Sequence, residues 1–361
     1  MRTGNTPAVY TPLALSSLRL ARLALPAAGL FALAALSAPS SVSAASRVVE
    51  GLPFADPMPT GQSELKARIL FSANQVGEFE PCSCPDTPLG GLPQQAGLVS
   101  TTRDGAVPVF WFDAGDRFFR HDMAMNSLEE GQRRRTAILL VDAAGRAGLD
   151  AHGVGRLDLG AGLSYLQKLH RRGGVPLVSA NLVDDDGALL FPASTIVERG
   201  GLRVGVTSVV SADTRGLGYA AKEPVSAARA AVKGLRDAEV DLVVLLSNLS
   251  ADDDKKLSFG ARPDLLLGSR SREIHASGPE VGRTVVGRAG SRGRYLGDVR
   301  WYAQGRGKGP HLLATILPVL SSGPKHVGVA ALVDETLGLL ADPVLGIPPF
   351  EPGDPDRPGA R

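Results

Sequence analysis

Residues 68–99 read RILFSANQVGEFEPCSCPDTPLGGLPQQAGLV. The stretch begins as an apolar strand, Arg68–Ser72, and leaves it into a polar loop that carries Asn74 and a C-x-C pair, Cys82 and Cys84. Five more runs of strand character follow: Val107–Phe112, Leu177–Ala180, Leu202–Val209, Leu242–Leu246 and Leu265–Gly268. Between them, Arg133–Ala147 sets Ala137, Ile138, Val141 and Ala144 along one helical face, and Val225–Ala238 does the same with Ala228, Ala231, Val232 and Leu235. Strands alternating with helices imply βαβ units and an α/β fold with a parallel or mixed sheet. Such sheets collect their functional loops beyond the carboxyl ends of the strands. Asn74, Asp113, Asp116, Asn248 and Arg270–Arg272 all follow or end a strand in this reading, so they are expected in one cleft.

The chain has 361 residues, 43% of them hydrophobic, which is enough to bury a core. Residues 1–44 have the layout of an export signal: Arg2, Arg19 and Arg22 precede the apolar run LALPAAGLFALAAL, and small residues lead to Ala44. The alternative is an uncleaved anchor, but the run is interrupted by Pro26 and is short for a membrane span. Cleavage after Ala44 would take the formal charge from +2 to −1 and place the product outside the cytoplasm, periplasmic or extracellular. A nearly neutral chain lacks the concentrated basic face of a nucleic-acid binder, and no later segment reads as a membrane span. The expected layout is a linker over 45–65, a domain over 66–303, a strand and helix extension over 304–345 (His311–Leu317 and Val327–Leu340), and a Pro/Asp/Gly-rich disordered tail over 346–361.

Seven blocks, in order, resemble calcineurin-like metallophosphoesterases of the 5'-nucleotidase branch. The first is the stretch quoted above, against a family pattern of the type ILxTNDxHGxxEP…GGLAR. The others are VPVFWFDAGDRFF from Val107, DAHGVGRLDLGAGLSYL from Asp150, VPLVSANLVDDDGALLFPASTIVERGGLRVGVTSVV from Val175, DLVVLLSNLS from Asp241, PDLLLGSRSRE from Pro263 and VVGRAGSRGRYLGDVRW from Val285. They cover roughly residues 66–303. The resemblance implies two packed mixed β-sheets flanked by helices, a four-layer sandwich. Full-length 5'-nucleotidases carry a second domain that grips the nucleoside base, and this chain is too short to include it. The chain is also similar to an exported subgroup that reads N-x-x-G-E-x-E-P-C-G-C, with Ser83 here in place of the glycine.

Carried over residue by residue, the resemblance puts the metal-bridging Asp of D-x-G-D on Asp116, with Asp113 behind it. The Asp and His of D-x-H fall on Asn74 and Val76. The Asn and catalytic His of G-N-H-E fall on Val154 and Gly155, a later single His on Asn248, and the two His of G-H-x-H on Arg270 and Arg272. A two-metal centre needs several carboxylates and imidazoles around ions about 4 Å apart. Val, Gly and Arg side chains offer no ligand, and an Asn amide is a weak one. The usual dinuclear site is therefore not expected; one divalent metal on Asp116 and Asn74 stays open. Asp116 is otherwise expected to cap a turn or pair with an arginine, and Arg270 and Arg272, helped by Arg156, could neutralise it and favour an anion.

Cys82 and Cys84 are open to three states: a disulfide, a thiol pair for a soft metal or redox exchange, or inert thiols. Six histidines are scattered singly; His152 and His275 lie near motif loops and could be recruited. The sequence therefore leaves catalysis open. It points first to an exported pseudoenzyme that binds a small anion, a phosphorylated ligand or an exported protein partner. Second comes a phosphoester hydrolase with an atypical metal site, and third a redox or soft-metal role at Cys82 and Cys84.

Overall fold

The central strand runs Val109–Phe112, Leu242–Leu246 and Leu265–Leu267 are apolar throughout because both of their faces are covered. The computed structural model describes residues 64–83, 87–120, 127–275, 278–303 and 310–341. The expected leader, most of the expected linker, Cys84, His121 and the expected disordered tail lie outside these residues. In chain order the elements are β1 (Leu65–Ser72), α1 (Leu92–Arg103), β2 (Val109–Asp113), α2 (Ser127–Arg146), β3 (Ala151–Gly153), a single 3-10 turn (Arg156–Leu159), α3 (Leu163–Gly173), β4 (Leu177–Val178), β5 (Leu182–Val183), β6 (Ser194–Arg199) and β7 (Leu202–Val210). There follow β8 (Arg215–Gly216), β9 (Tyr219–Ala221), α4 (Pro224–Asp237), β10 (Leu242–Asn248), α5 (Ala251–Ala261), β11 (Leu265–Gly268), β12 (Glu280–Val281), β13 (Thr284–Arg288), β14 (Tyr295–Tyr302), β15 (His311–Pro318) and α6 (Val327–Ala341).

Two six-stranded sheets form, in the orders β15-β14-β1-β2-β3-β4 and β12-β13-β11-β10-β7-β6. Strands β1 to β4 run parallel, as do β7, β10, β11 and β13, while β14, β15, β6 and β12 add antiparallel edges. The period-two alternation of β10 assigns its faces. Leu242, Val244 and Leu246 enter the core between the sheets with Phe71, Phe110 and Phe112, whereas Val243 and Leu245 pack outward with Val232 and Leu235 of α4 and Leu257 of α5. On the far side, α1, α2, α3 and α6 cover the first sheet through Leu140, Leu166, Val329 and Val333. The result is the expected four-layer sandwich. Gly297 is part of its construction, since a Cβ there would run into the Phe71 ring that fills the space between the sheets.

The segment read as an extension is built into this domain. β15 pairs along its whole length with β14, from Tyr295↔Pro318 to Tyr302↔His311, and α6 contributes Val329 and Val333 to the core under α1 and α2. A third, three-stranded sheet, β5-β9-β8, forms from segments that leave the ends of β4 and β7. No described helix is long and apolar enough to cross a membrane.

Candidate functional site

The carboxyl ends of the parallel strands bring the motif loops of both sheets together. Asn74 follows β1, and its amide donates to Gly115 O at 2.9 Å; the Val76 amide donates to Asp116 O at 2.9 Å and the Gly77 amide to Arg117 O at 3.0 Å. The two loops thus continue the sheet as a ladder past its last formal pair. Asn74, Val76 and Asp116 all have positive φ, at 51°, 47° and 58°. Asn tolerates this region, but a β-branched valine there is strained. The loop keeps a conformation that its present residue at position 76 does not favour.

Asp116 is buried at 3% exposure. Its Oδ1 accepts from the Leu157 amide at 2.8 Å, and its Oδ2 from Asn248 Nδ2 at 2.7 Å. It therefore caps the 3-10 turn. Asn248 Nδ2 also donates to Ser269 Oγ at 2.8 Å, and Asn248 Oδ1 accepts from the Arg156 amide at 3.0 Å. The amide oxygen that could ligate a cation is thus committed to a backbone N–H. Burial, reinforced by the nearby Asp158 charge, pushes the Asp116 carboxyl up to about 6 against the hydrogen bonds from Asn248 and Leu157. Gly155, where the resemblance places a catalytic imidazole, has no room for a side chain: a Cβ there would collide with the Asp116 amide and carboxylate and press on Asn248.

Behind Asp116 lies a second, fully buried layer. Asp113 accepts from Ser72 Oγ at 2.6 Å, Arg117 Nη1 at 2.7 Å and the Gly115 amide at 2.9 Å. Asp158 accepts from the amides of Asp116, Arg117, Phe118 and Gly155 at 2.7–3.1 Å. His152 stands between them, with Nδ1 3.2 Å from Asp113 Oδ1 and Nε2 2.9 Å from Asp158 Oδ2. Burial alone would lower the imidazole, but Asp158 and Asp113 outweigh it and raise it to about 9. Burial would likewise raise Asp113, yet its hydrogen bond with His152 and the Arg117 charge bring it down to about 2. The layer is a salt-bridged core of side-chain cations and carboxylates. Beneath Asn248, Ser247 Oγ donates to Asp254, which also pairs with buried Arg288.

Asn248 bonds both Asp116 and Ser269 of the loop after β11, and Asn74 lies beside them through its amide bond to Gly115 O. Val76, Val154 and Gly155 join them without any donor side chain. The charge swap expected at Arg270 and Arg272 is not what forms. Among the described residues, no ion pair links either guanidinium to Asp116. Ser269, the residue before Arg270, turns inward to Asn248, so Arg270 is directed to the rim, where it lies 3.8 Å from Asp213. Arg272 is exposed. His275 hydrogen-bonds to Val286 O at 3.3 Å and lies 3.8 Å from Glu273. Cys82 is disulfide-bonded, and its loop is stitched by Cys82 N to Leu89 O at 2.8 Å.

Sequence reasoning passed over Asp158, Ser269 and Arg117 and treated His152 as one of six scattered histidines. Asp158 did carry a signal, since it stands at the Asp of the G-N-H-E-F-D-x-G pattern.

These residues do not fit a dinuclear metal centre. Both Asp116 oxygens are engaged by protein donors, the Asn248 amide oxygen is occupied, and the remaining positions carry Val, Gly or Arg. Among the described residues there is no group of three or more His, Cys, Asp or Glu side chains placed to hold a metal ion.

No protein-family model and no curated protein matches the sequence. Solved structures do match. The sulfate thiohydrolase SoxB of Thermus thermophilus, in complex with glycerol, aligns with a TM-score of 0.65 and 19% identity over 76% of this chain and 61% of its own. A 5'-nucleotidase precursor, also from Thermus thermophilus, aligns with a TM-score of 0.65 and 19% identity over 76% of this chain and 59% of its own. The calcineurin-like phosphoesterase YfkN of Bacillus subtilis has a TM-score of 0.62 and 16% identity over 76% of this chain and 98% of its own. The chain has the calcineurin-like phosphoesterase fold, of the type found in 5'-nucleotidases. It spans about three fifths of the first two relatives.

Proposed function

We propose that this chain is an exported, non-catalytic member of the phosphoesterase superfamily whose cleft binds a small oxyanion. The observation that carries this reading is the double commitment of Asp116 to Leu157 N and Asn248 Nδ2, with Gly155 packed against them. A carboxylate that must shed two hydrogen bonds before meeting a cation is a poor bridging ligand. The mouth above it is basic. The guanidinium groups of Arg156, Arg272 and Arg292 have no hydrogen-bond or ion-pair partner among the described residues. Arg292 is tied to the site by its amide, which donates to Asn74 O at 2.8 Å. Guanidinium forks suit carboxylate and phosphate oxygens. The leader at residues 1–44 supports export.

Isothermal titration of the mature protein with inorganic phosphate at low salt tests the reading. Binding that weakens as salt rises, and that is lost in Arg156→Gln, is the expected result. No binding under these conditions would count against the site. A second reading, hydrolysis at a single atypical metal, draws on the meeting of Asp116 and Asn248. It requires Asn248 to rotate its amide and release both Arg156 N and Ser269.

A further inference from the structure

One rim arginine, Arg270, has a carboxylate partner from outside the motif loops. Asp213 lies in the short segment that leaves β7 for the β8–β9 hairpin, and its carboxylate is 3.8 Å from Arg270 Nη1. A Ser211 hydrogen bond and the Arg270 charge hold the Asp213 carboxyl below its usual range. Arg270 follows Ser269, which is bonded to Asn248 at 2.8 Å, so its partner Asp213 stands at the edge of the site. The contact is loose, with side-chain exposures of 35% and 61% for Arg270 and Asp213. An exposed pair of this kind contributes about 0–1 kcal/mol. The other acid near Arg270, Asp253, is already engaged by Ser250 and Lys256, at 2.7 and 2.8 Å. Asp213 is thus near enough to occupy Arg270 and held weakly enough to leave.

We propose that Asp213 is a resident competitor at an anion subsite on Arg270: its carboxylate takes the place of a ligand carboxylate or phosphate oxygen and withdraws when one binds. The proposal rests on the anion-binding reading and adds a residue that sets its affinity. It implies a ligand whose oxyanion outcompetes a single exposed carboxylate, so that weak, adventitious anions are screened out.

The test is phosphate titration of the full mature protein, side by side with Asp213→Asn, Arg270→Gln and the double variant, at low salt and equal thermal stability. Asp213→Asn should bind phosphate up to about fivefold tighter, the equivalent of about 1 kcal/mol. Arg270→Gln should bind more weakly, and the gain from Asp213→Asn should vanish when Arg270 is also Gln. If wild type binds and Arg270→Gln weakens it but Asp213→Asn changes nothing or weakens binding, Asp213 is not a competitor while the anion site stands. If neither wild type nor Asp213→Asn binds phosphate, both the competitor and the site reading fail.

Discussion

Gly155 is locked in place by its neighbours. Restoring a side chain at this position is blocked by the Asp116 amide and carboxylate, which are fixed by the turn they cap. Gly155→His is therefore expected to cost about 1–3 kcal/mol of stability through overpacking and to produce no phosphodiester turnover. Chemical denaturation and a phosphodiester assay on the same preparation check both outcomes; a stable variant with activity would show that the pocket can reopen. That Val76, Val154 and Gly155 offer no metal ligand was legible, because residue identity alone says so. The fate of Asp116 was not legible. Whether a carboxylate meets a guanidinium or a backbone amide depends on side-chain direction, and Ser269 decides the direction of Arg270.

At the scale of elements, β3 links the site to the core through His152, which joins Asp113 at the end of β2 to Asp158 on the 3-10 turn. Its folded pKa of about 9 lies above the ordinary 6.5. The imidazolium therefore contributes stability that is fully present below about pH 6.5 and is lost as pH rises through 9. The loss is on the order of 3 kcal/mol. Asp116 and Asp254, both raised to about 6, act in the same direction lower down, each favouring the fold less as pH rises from about 4 to 6. Thermal unfolding should move steadily to lower temperature between pH 6.5 and 9, and 15N spectra should show the His152 ring protonated on both nitrogens at pH 7.5. A neutral ring at that pH would remove the proposed ion layer. The strands were readable where burial on both faces makes them apolar throughout, as in β2 and β10. The helix α1 was not marked, because its buried face is built from Gln94, Gln95, Pro93 and Gly97 as well as Leu92, Ala96 and Val99, so no apolar stripe appears. His152 looked like one histidine among six because its partners, Asp113 and Asp158, come together only when β2 and β3 pair.

Across the whole molecule, the two sheets and their converging loops form the calcineurin-like phosphoesterase fold, and side-chain cations and amides satisfy the buried carboxylates at the strand ends. The order of the seven blocks made this architecture readable, and β15 and α6 complete it beyond the last block. Arg117 and His152 supply positive charge to the buried carboxylates from within the chain. Folding should therefore be independent of metal, and a chelator should leave the unfolding temperature unchanged. The central claim is tested most directly by metal content and phosphodiester turnover measured together on mature protein purified without chelator and then supplied with Mn2+ or Zn2+. The account predicts substoichiometric metal and no turnover above the protein-free control. One or two tightly held metal ions per chain, with turnover that falls when they are stripped, would contradict it.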